Sequence, residues 1–185
     1  MEPTTQSGQP SAAPICSLII PTRDKLNFLK PCIESVLASD DIDSIEVIIV
    51  DNASVEAETI LYLQALSLAP NIRVLNWNDT FNFSAINNFA AEQCRSKYVC
   101  FLNNDIEIKD PQWLRKLLPV AELADVGAVG CTLLYPDSTI QHAGVALDGK
   151  TIAQHIAVGE SSDFLAEQGI TLPYVVDAVT AACLV

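Results

Sequence analysis

The sequence predicts an α/β fold, with a doubly wound, mostly parallel sheet and helices on both of its faces. Short apolar runs alternate with longer segments whose apolar residues recur at helical spacing, which is the pattern of strands joined by crossover helices. Three of the apolar runs end abruptly in polar residues, as buried strands do at the edge of a sheet. After Thr139 the pattern changes to short polar–apolar alternations, which indicate irregular or antiparallel additions.

The first half of the chain predicts three strands and two helices. The strands are continuous apolar runs, a composition typical of strands that are covered on both faces. Asn27 is predicted to cap the first helix, and Pro31 to lie in its first turn, where a missing N–H is tolerated. The predicted strands cover residues 15–20, 45–50 and 72–75, and the second helix covers 56–68.

The second half predicts two more helices and two more strands. A helix is predicted at 83–95, because its apolar residues fall on one face. Residues 98–102 are too few for a buried helix and are rich in aromatic and β-branched side chains, so they predict a central strand. Pro111 opens the next helix. The last predicted strand, at 126–134, contains two glycines.

Composition predicts one domain and excludes several classes of protein. With 185 residues, half of them apolar, the chain can bury roughly 70% of its unfolded surface in a single core. The formal net charge of −13 argues against a nucleic-acid partner, which needs clusters of Lys and Arg. Residues 1–14 are rich in Pro, Ser, Thr and Gln and predict a disordered leader, so the domain is assigned to 15–185.

Three features predict a cytoplasmic location. No apolar run approaches the ~20 residues of a transmembrane span, and residues 1–14 lack the basic start and apolar core of a signal peptide. The six cysteines form no Cys-x-x-Cys pair and most lie in apolar segments, as buried thiols do in a reducing compartment. We therefore expect a cytoplasmic protein with no transmembrane segment, a location that includes a peripheral position at the inner face of the membrane.

Polar residues follow three of the predicted strands. They are Thr22-Arg23-Asp24, Asp51-Asn52 and Asn103-Asn104-Asp105. The carboxyl ends of parallel strands meet at one edge of a sheet, where open α/β proteins bind their ligands. Each group alone is also compatible with an ordinary turn, since Asn and Asp favour turns. Together they predict a binding site, in which the carboxylate of Asp105 suits a hard cation.

The common phosphate-binding and hydrolase motifs are missing from the sequence. The first strand leads into Pro21-Thr22-Arg23-Asp24, with neither Gly-x-Gly-x-x-Gly nor Gly-x-x-x-x-Gly-Lys, and no Gly-x-Ser-x-Gly elbow occurs. A nucleotide would therefore be held by side chains at the strand ends and by a metal ion. In so acidic a chain, a divalent cation would also offset the repulsion of phosphate groups.

Four segments, taken in order, resemble the family 2 glycosyltransferases, which are inverting enzymes with the GT-A fold. The similarity is greatest to bacterial enzymes that build O-antigen or other surface polysaccharides, and it covers nearly everything after Ile15. The resemblance implies a Rossmann-like nucleotide-binding half with additions at its C-terminal side. The matching segments are 17–24 (SLIIPTRD), 46–54 (EVIIVDNAS), 81–88 (FNFSAINN) and 101–105 (FLNND), and Gln141-His142-Ala143-Gly144-Val145 also has a counterpart.

The resemblance implies which residues hold the nucleotide. Asp51 and Asn52 stand where the family usually has two acids that contact the base and the ribose, and the amide at position 52 bears on base preference. Asn104 would face the ribose. The complete implied set is Pro21, Thr22 and Arg23 beside the base, with Asp51, Asn52, Asn88 and Asn104.

The resemblance also implies metal-assisted sugar transfer. Asp105 matches the Asp-x-Asp-type signature and would bind Mg²⁺ or Mn²⁺ together with substrate phosphates and waters. The donor would be a nucleoside-diphosphate sugar, and the acceptor a hydroxyl of a glycan or lipid-linked glycan. The family's general base is an acid downstream of the segment matched by residues 179–183. No residue before Val185 matches it, so we expect a C-terminally shortened member whose catalytic base is unassigned.

Two other classes of protein fit parts of the pattern. A non-catalytic nucleotide-sugar-binding module of a larger polypeptide needs the same binding residues and no base. A doubly wound phosphoacceptor domain would use Asp51, but it leaves Asn103-Asn104-Asp105 without an explanation. His142 and His155 could each contact diphosphate or metal, since imidazole is a common ligand, although a structural or exposed histidine is the more frequent case.

Overall fold

The structure is a computed structural model that describes residues 13–147, 149 and 153–185 of the chain. Nearly all of the predicted leader, 1–14, therefore lies outside the described residues. The strands are β1 Cys16–Thr22, β2 Ile45–Asp51, β3 Ile72–Asn76, β4 Tyr98–Leu102, β5 Leu133–Leu134, β6 Ile140–His142, β7 Val145–Leu147, β8 Ala153–His155 and β9 Cys183–Leu184. The helices are α1 Leu26–Leu37, α2 Ala57–Leu66, α3 Phe83–Ala91, α4 Trp113–Ala121 and α5 Phe164–Glu167, with one 3₁₀ turn at Ile42–Ser44.

A five-stranded sheet of order β3-β2-β1-β4-β9 forms the centre of the fold. The first four strands are parallel to one another, and β9 runs antiparallel beside β4. The strand order reverses between β1 and β4, and a doubly wound sheet forms a crevice at such a point. The predicted α/β class is confirmed, as are the antiparallel additions after Thr139, where β5 pairs with β6 and β7 pairs with β8.

Apolar clusters on both faces of the sheet explain why the strands read as continuous apolar runs. Leu18 and Ile20 point to the face that α1, α2 and α4 cover, and the intervening Ile19 points to the face that α3 covers. β2 alternates in the same way, since Ile49 joins the first cluster and Ile48 the second. Both faces of the sheet are therefore covered and excluded from water. A strand that alternated polar and apolar residues would bury its polar side chains.

The amino-terminal end of the sheet carries a buried polar network centred on Glu46. This carboxylate is 8% exposed, and it accepts hydrogen bonds from Ser17 Oγ and from Arg73 Nη1, each at 2.8 Å. Ser96 Oγ lies 2.7 Å from Ser17 Oγ and extends the network towards β4. Burial raises the pKa of Glu46, but the hydrogen bonds from Arg73 and Ser17 outweigh it, so the pKa lies below its usual value.

The first helix begins earlier than predicted. Lys25 is its N-cap, with φ 59°, and the N–H groups of Phe28 and Leu29 donate to the Lys25 carbonyl. Asn27 therefore lies inside α1 and does not cap it. Pro31 lies in the second turn, where its missing N–H costs a hydrogen bond within the helix.

The strand predicted for 126–134 is wrong in extent, because only Leu133–Leu134 is a strand. Val129 and Val185 instead exchange backbone hydrogen bonds of 2.8 and 2.9 Å, so this segment pairs with the end of the described chain. At Gly130 a Cβ atom would stand 2.7 Å from Cβ of Val179, so this glycine permits the close approach of the two segments. None of the helices in the described part of the chain is long and apolar enough to cross a membrane.

Candidate functional site

A cleft of about 410 Å³ opens at the carboxyl ends of β1 and β4. Its lining comes from three parts of the chain: the strand ends, the start of α3 with the loop before it, and the segment just before β9. The cleft lies at the point where the strand order reverses, which is where the sequence predicts a site. Six predicted site residues line it: Pro21, Thr22, Arg23, Asn52, Asn104 and Asp105.

Asn104 joins the two strands across the reversal point. Its Nδ2 donates to Oγ1 of Thr22 at 3.0 Å, and Thr22 is 4% exposed. One N–H of the amide is used within the protein, so the second N–H and the oxygen are the groups that Asn104 offers to a ligand. Burial and this hydrogen bond fix the position of both side chains.

Asn52 places an unpaired acceptor at the cleft. The side chain is 2% exposed, and its Nδ2 donates to the carbonyls of Trp77 and Asp79 at 3.1 and 3.0 Å. Both amide hydrogens are thus committed, and the buried Oδ1 has no hydrogen-bond partner among the described residues. Such an unpaired acceptor costs about 1–3 kcal/mol, which a ligand N–H at this position would recover.

Asp51 does not line the cleft but fixes a loop that does. Its Oδ1 accepts from the backbone N–H and the hydroxyl of Ser54, at 3.1 and 2.5 Å. Ser54 Oγ in turn accepts the backbone N–H of Asp24 at 2.8 Å. Asp51 therefore acts on the β1–α1 loop, which carries Arg23 and follows directly after Thr22. Its implied contact with base or ribose stays a prediction.

A second set of hydrogen bonds holds the same loop against α2. Asp24 Oδ1 accepts the backbone N–H groups of Val55 and Glu56, at 2.7 and 2.8 Å. The Glu56 N–H lowers the pKa of the Asp24 carboxyl. Asp24 and Lys25 both have positive φ, of 54° and 59°, a conformation that these contacts stabilise. The loop that borders the cleft is therefore held by the segment 54–56.

Asn88 is exposed on α3 and is not among the residues that line the cleft. Its neighbour Asn87 is 4% exposed and donates to the Phe83 carbonyl at 2.8 Å. The implied nucleotide contact of Asn88 stays a prediction. Sequence reasoning assigned no site role to several residues that line the cleft, because they come from segments with no strand-end signal: Phe81, Phe83, Thr180 and Ala182.

Asp105 is exposed and is the one carboxylate among the described residues that line the cleft. Burial and, second to it, the negative charge of Asp105 raise the pKa of the nearby Cys32 thiol to about 12. The described residues contain no group of three or more His, Cys, Asp or Glu side chains arranged to hold a metal. One carboxylate fits a Mg²⁺ or Mn²⁺ ion shared with substrate phosphates and waters, and not a self-contained metal site.

The fold and the cleft define a doubly wound α/β domain with polar strand ends at the reversal of strand order. The chain belongs to the family described as Glycosyl transferase family 2, whose sequence profile matches residues 17–157. The resemblance noted in the sequence is thereby confirmed.

Two longer bacterial proteins are similar to this chain. O-antigen biosynthesis protein RfbC of Myxococcus xanthus is 41% identical over 142 residues, which cover 77% of this chain and 11% of RfbC. Uncharacterized protein y4gI of Sinorhizobium fredii is 40% identical over 176 residues, which cover 93% of this chain and 19% of y4gI. The chain thus spans 19% or less of the length of these relatives.

Solved structures share the fold at low sequence identity. Mannosyltransferase PcManGT from Pyrobaculum calidifontis, in complex with GDP-Man and Mn²⁺, has a TM-score of 0.59 and 19% identity, covering 74% of this chain and 40% of that chain. S. aureus TarS 1-349 has a TM-score of 0.57 and 15% identity, and the match covers 86% of this chain and 50% of that chain. The structure of TarS in complex with UDP-GlcNAc has a TM-score of 0.52 and 18% sequence identity, and the match covers 76% of this chain and 37% of that chain. These similarities confirm the GT-A fold.

Proposed function

We propose that residues 15–185 form the nucleotide-sugar-binding domain of an inverting, metal-dependent glycosyltransferase. It would move a sugar from a nucleoside-diphosphate sugar to a glycan or lipid-linked glycan hydroxyl in surface polysaccharide synthesis. The observation that carries the proposal is that Thr22, Asn52 and Asn104–Asp105 line one cleft where the strand order reverses. The O-antigen name of RfbC, and the sugar nucleotides bound to PcManGT and TarS, support the same class of substrate.

The donor would lie along the cleft with its base at Asn52 and its diphosphate at Asp105. Asn52 Oδ1 accepts and its nitrogen is already committed, so this residue favours a base that presents an N–H donor. Uracil and thymine carry a ring N–H, guanine carries a ring N–H and an amino group, and cytosine and adenine carry an amino group. Asn104 would offer its oxygen to the ribose.

Asp105 would hold Mg²⁺ or Mn²⁺ together with substrate phosphates and waters. When bound, the cation would neutralise the negative charge that develops on the diphosphate leaving group. Arg23 is the cationic side chain among the described residues that line the cleft, and it would add attraction for the diphosphate at the rim. An acceptor hydroxyl would attack the opposite face of the sugar and give its proton to a general base.

A non-catalytic sugar-nucleotide-binding module is the second candidate, and one observation favours it. Among the described residues of the cleft, the only carboxylate is Asp105, which is assigned to the cation. Asp177 is the nearest alternative in the sequence to residues 180–182, but its Oδ2 accepts the Leu147 N–H at 2.8 Å and it does not line the cleft. Both candidates predict donor binding, and transfer to an acceptor distinguishes them.

Calorimetric titration with a panel of nucleoside-diphosphate sugars, with and without Mn²⁺, tests the proposal. We expect Asp105→Asn to lower the affinity measured in Mn²⁺ by about tenfold or more, because a carboxylate ligand becomes a neutral amide. In EDTA the variant and the wild type should bind equally. Asp125→Asn, an exposed acid outside the cleft, is the matched control and should bind as the wild type does. Equal affinity of Asp105→Asn and wild type in Mn²⁺ would contradict the cation assignment.

A further inference from the structure

A pair of histidines lies directly behind one wall of the cleft. His142, in β6, is 1% exposed, and His155, in β8, is exposed. Their Nδ1 atoms are 2.9 Å apart, and their rings meet edge to face with centroids separated by 4.8 Å. On its other side, His142 Nε2 accepts the backbone N–H of Thr180 at 3.3 Å. The pair therefore connects the cleft lining to the protein surface.

These hydrogen bonds determine the tautomer of each ring. Nε2 of His142 accepts from Thr180, so in the neutral ring the proton is on Nδ1. That proton is donated to Nδ1 of His155, whose own proton is then on Nε2. Burial, followed by the charge of His155, lowers the pKa of His142, so its ring stays neutral at neutral pH.

The wall is held at its other end by β4. The backbone N–H of Asn103 donates to the Ala182 carbonyl at 2.9 Å, and the Ala182 N–H donates to Oγ1 of Thr180 at 3.3 Å. Residues 180–182 are thus hydrogen-bonded at one end to His142 and at the other end to Asn103, which precedes Asn104–Asp105. This places the wall at the diphosphate and sugar end of the cleft, whereas Asn52 lies at the end of a different strand.

We infer that His142 is a positioning residue, which holds Thr180 so that residues 180–182 present a fixed surface to the sugar of the bound donor. His155 contributes by accepting the Nδ1 proton of His142, and so selects the tautomer in which Nε2 can accept. The inference rests on the proposed function, because it assigns this wall to the donor sugar.

Two matched pairs of variants separate the hydrogen bonds from simple packing. His142→Gln keeps an acceptor oxygen near the position of Nε2, and His142→Leu fills a similar volume without one. On the exposed partner, His155→Asn keeps an acceptor near the position of Nδ1, and His155→Leu removes it. The His155 variants preserve the test if His142→Leu fails to fold, because position 155 is at the surface.

Calorimetric affinities for a nucleoside-diphosphate sugar and for the matching nucleoside diphosphate, both in Mn²⁺, are the functional readout. In the Leu variants we expect the sugar nucleotide to bind roughly tenfold more weakly, because the Thr180 N–H loses its fixed partner, and the diphosphate to bind almost as in wild type. His142→Gln and His155→Asn should bind the sugar nucleotide with an affinity close to that of the wild type. Equal loss for both ligands, or no loss in any variant, would overturn the inference.

A long-range ¹H–¹⁵N spectrum of the histidine side chains tests the same inference without a ligand. We expect a His142 signal with a protonated Nδ1 and a bare Nε2, and a His155 signal with the opposite tautomer. A protonated Nε2 on His142 would overturn the positioning role. If these tautomers are found but the wild type binds no sugar nucleotide in the calorimeter, then the assignment of the wall to the sugar falls together with the proposed function.

Discussion

Asn52 is the residue that bears most directly on which nucleotide the cleft accepts. Its oxygen is buried and unpaired, and its nitrogen is committed to two backbone carbonyls. We predict that nucleoside diphosphates are ranked by how well the base places an N–H at this oxygen, a ring N–H in uracil, thymine and guanine and an amino N–H in cytosine and adenine, with about tenfold between the best and the worst base. Competition titration with the five nucleoside diphosphates measures this preference.

Replacing Asn52 checks the cause of that preference. Asn52→Leu should abolish the difference between the bases, since no acceptor is left. Asn52→Asp should bind weakly although the family usually has an acid here, because a carboxylate would face the Trp77 and Asp79 carbonyls. Base preference that persists in Asn52→Leu would show that another group reads the base.

Asp51 is predicted to act through the β1–α1 loop. Asp51→Ala should weaken nucleotide binding both with and without metal, because Ser54 loses the partner that orients it towards Asp24. Ser54→Ala is the discriminating comparison, and we expect it to reproduce most of the loss. If Ser54→Ala binds normally while Asp51→Ala does not, Asp51 contacts the nucleotide directly. A loss confined to the metal-dependent part would instead assign Asp51 to the phosphate site.

At the scale of elements, the Glu46 network links β1, β2 and β3 at the end opposite the cleft. We predict that Glu46→Gln lowers the free energy of unfolding by about 1–3 kcal/mol at neutral pH, because the buried charged hydrogen bond to Arg73 is lost. The pKa of Glu46 is lower in the folded protein than in the unfolded chain. Its contribution is therefore fully present above the unfolded value near 4.5 and disappears as the pH falls through the folded value.

Urea unfolding at several pH values measures this contribution. The wild type should lose stability below about pH 4.5 more steeply than Glu46→Gln, which has no carboxylate to protonate at this position. The exposed pair Lys97–Glu122 provides the control, since Glu122→Gln should change stability little. Parallel pH profiles of wild type and Glu46→Gln would contradict the role assigned to Glu46.

The sequence predicts the elements that depend on local composition. β1, β2 and β4 are identified because strands buried on both faces need continuous apolar runs. Asn27 is misassigned because the start of α1 is set by Asp24, whose hydrogen-bond partners lie about thirty residues away at Val55 and Glu56. The extent of strand 126–134 is wrong for a similar reason, since residue 129 pairs with residue 185. Contacts between distant segments leave no local pattern to detect.

The residues of the candidate site also fall into a group that local sequence predicts and a group that only tertiary contacts bring together. Thr22, Asn52 and Asn104–Asp105 are predictable because they follow strands, and parallel strands bring their ends together. Phe81 and Phe83 precede or begin a helix, and residues 180–182 reach the cleft through β9, so tertiary contacts alone bring them there. The histidine pair is likewise formed by two short strands that the sequence suggests only as irregular additions.

At the scale of the whole molecule, charge makes cation dependence a general expectation. The chain has a net charge of −13, and an incoming diphosphate adds more negative charge. Screening at physiological salt limits each charge to a range of about 8 Å, so the groups inside the cleft decide the outcome. Among the described residues that line the cleft, Arg23 is the positively charged one, and the cation proposed at Asp105 would add a second favourable charge.

We further predict that the 185-residue chain binds donor but transfers sugar poorly. Loss of a general base typically costs about 10²–10⁴-fold in rate, and the cleft offers no described carboxylate beyond Asp105. Release of nucleoside diphosphate in the presence of a glycan acceptor should be compared between this chain and a longer one that carries further acidic residues. Full turnover by the 185-residue chain would contradict the prediction, and Asp177 would then be the first residue to replace.

The two-residue strand β9 has a consequence for how a ligand enters and leaves. It pairs with β4 through Phe101 and Leu102, and among the described residues its other edge bonds only to the short segment 129–131, whereas β1 and β2 are paired over seven residues. Local opening of a protein costs least where few backbone hydrogen bonds and few buried contacts must be broken. We expect β9 and the wall beside it to detach as a unit while the parallel strands stay intact. The cleft would then exchange its contents by brief partial unfolding, and a bound donor would slow that opening.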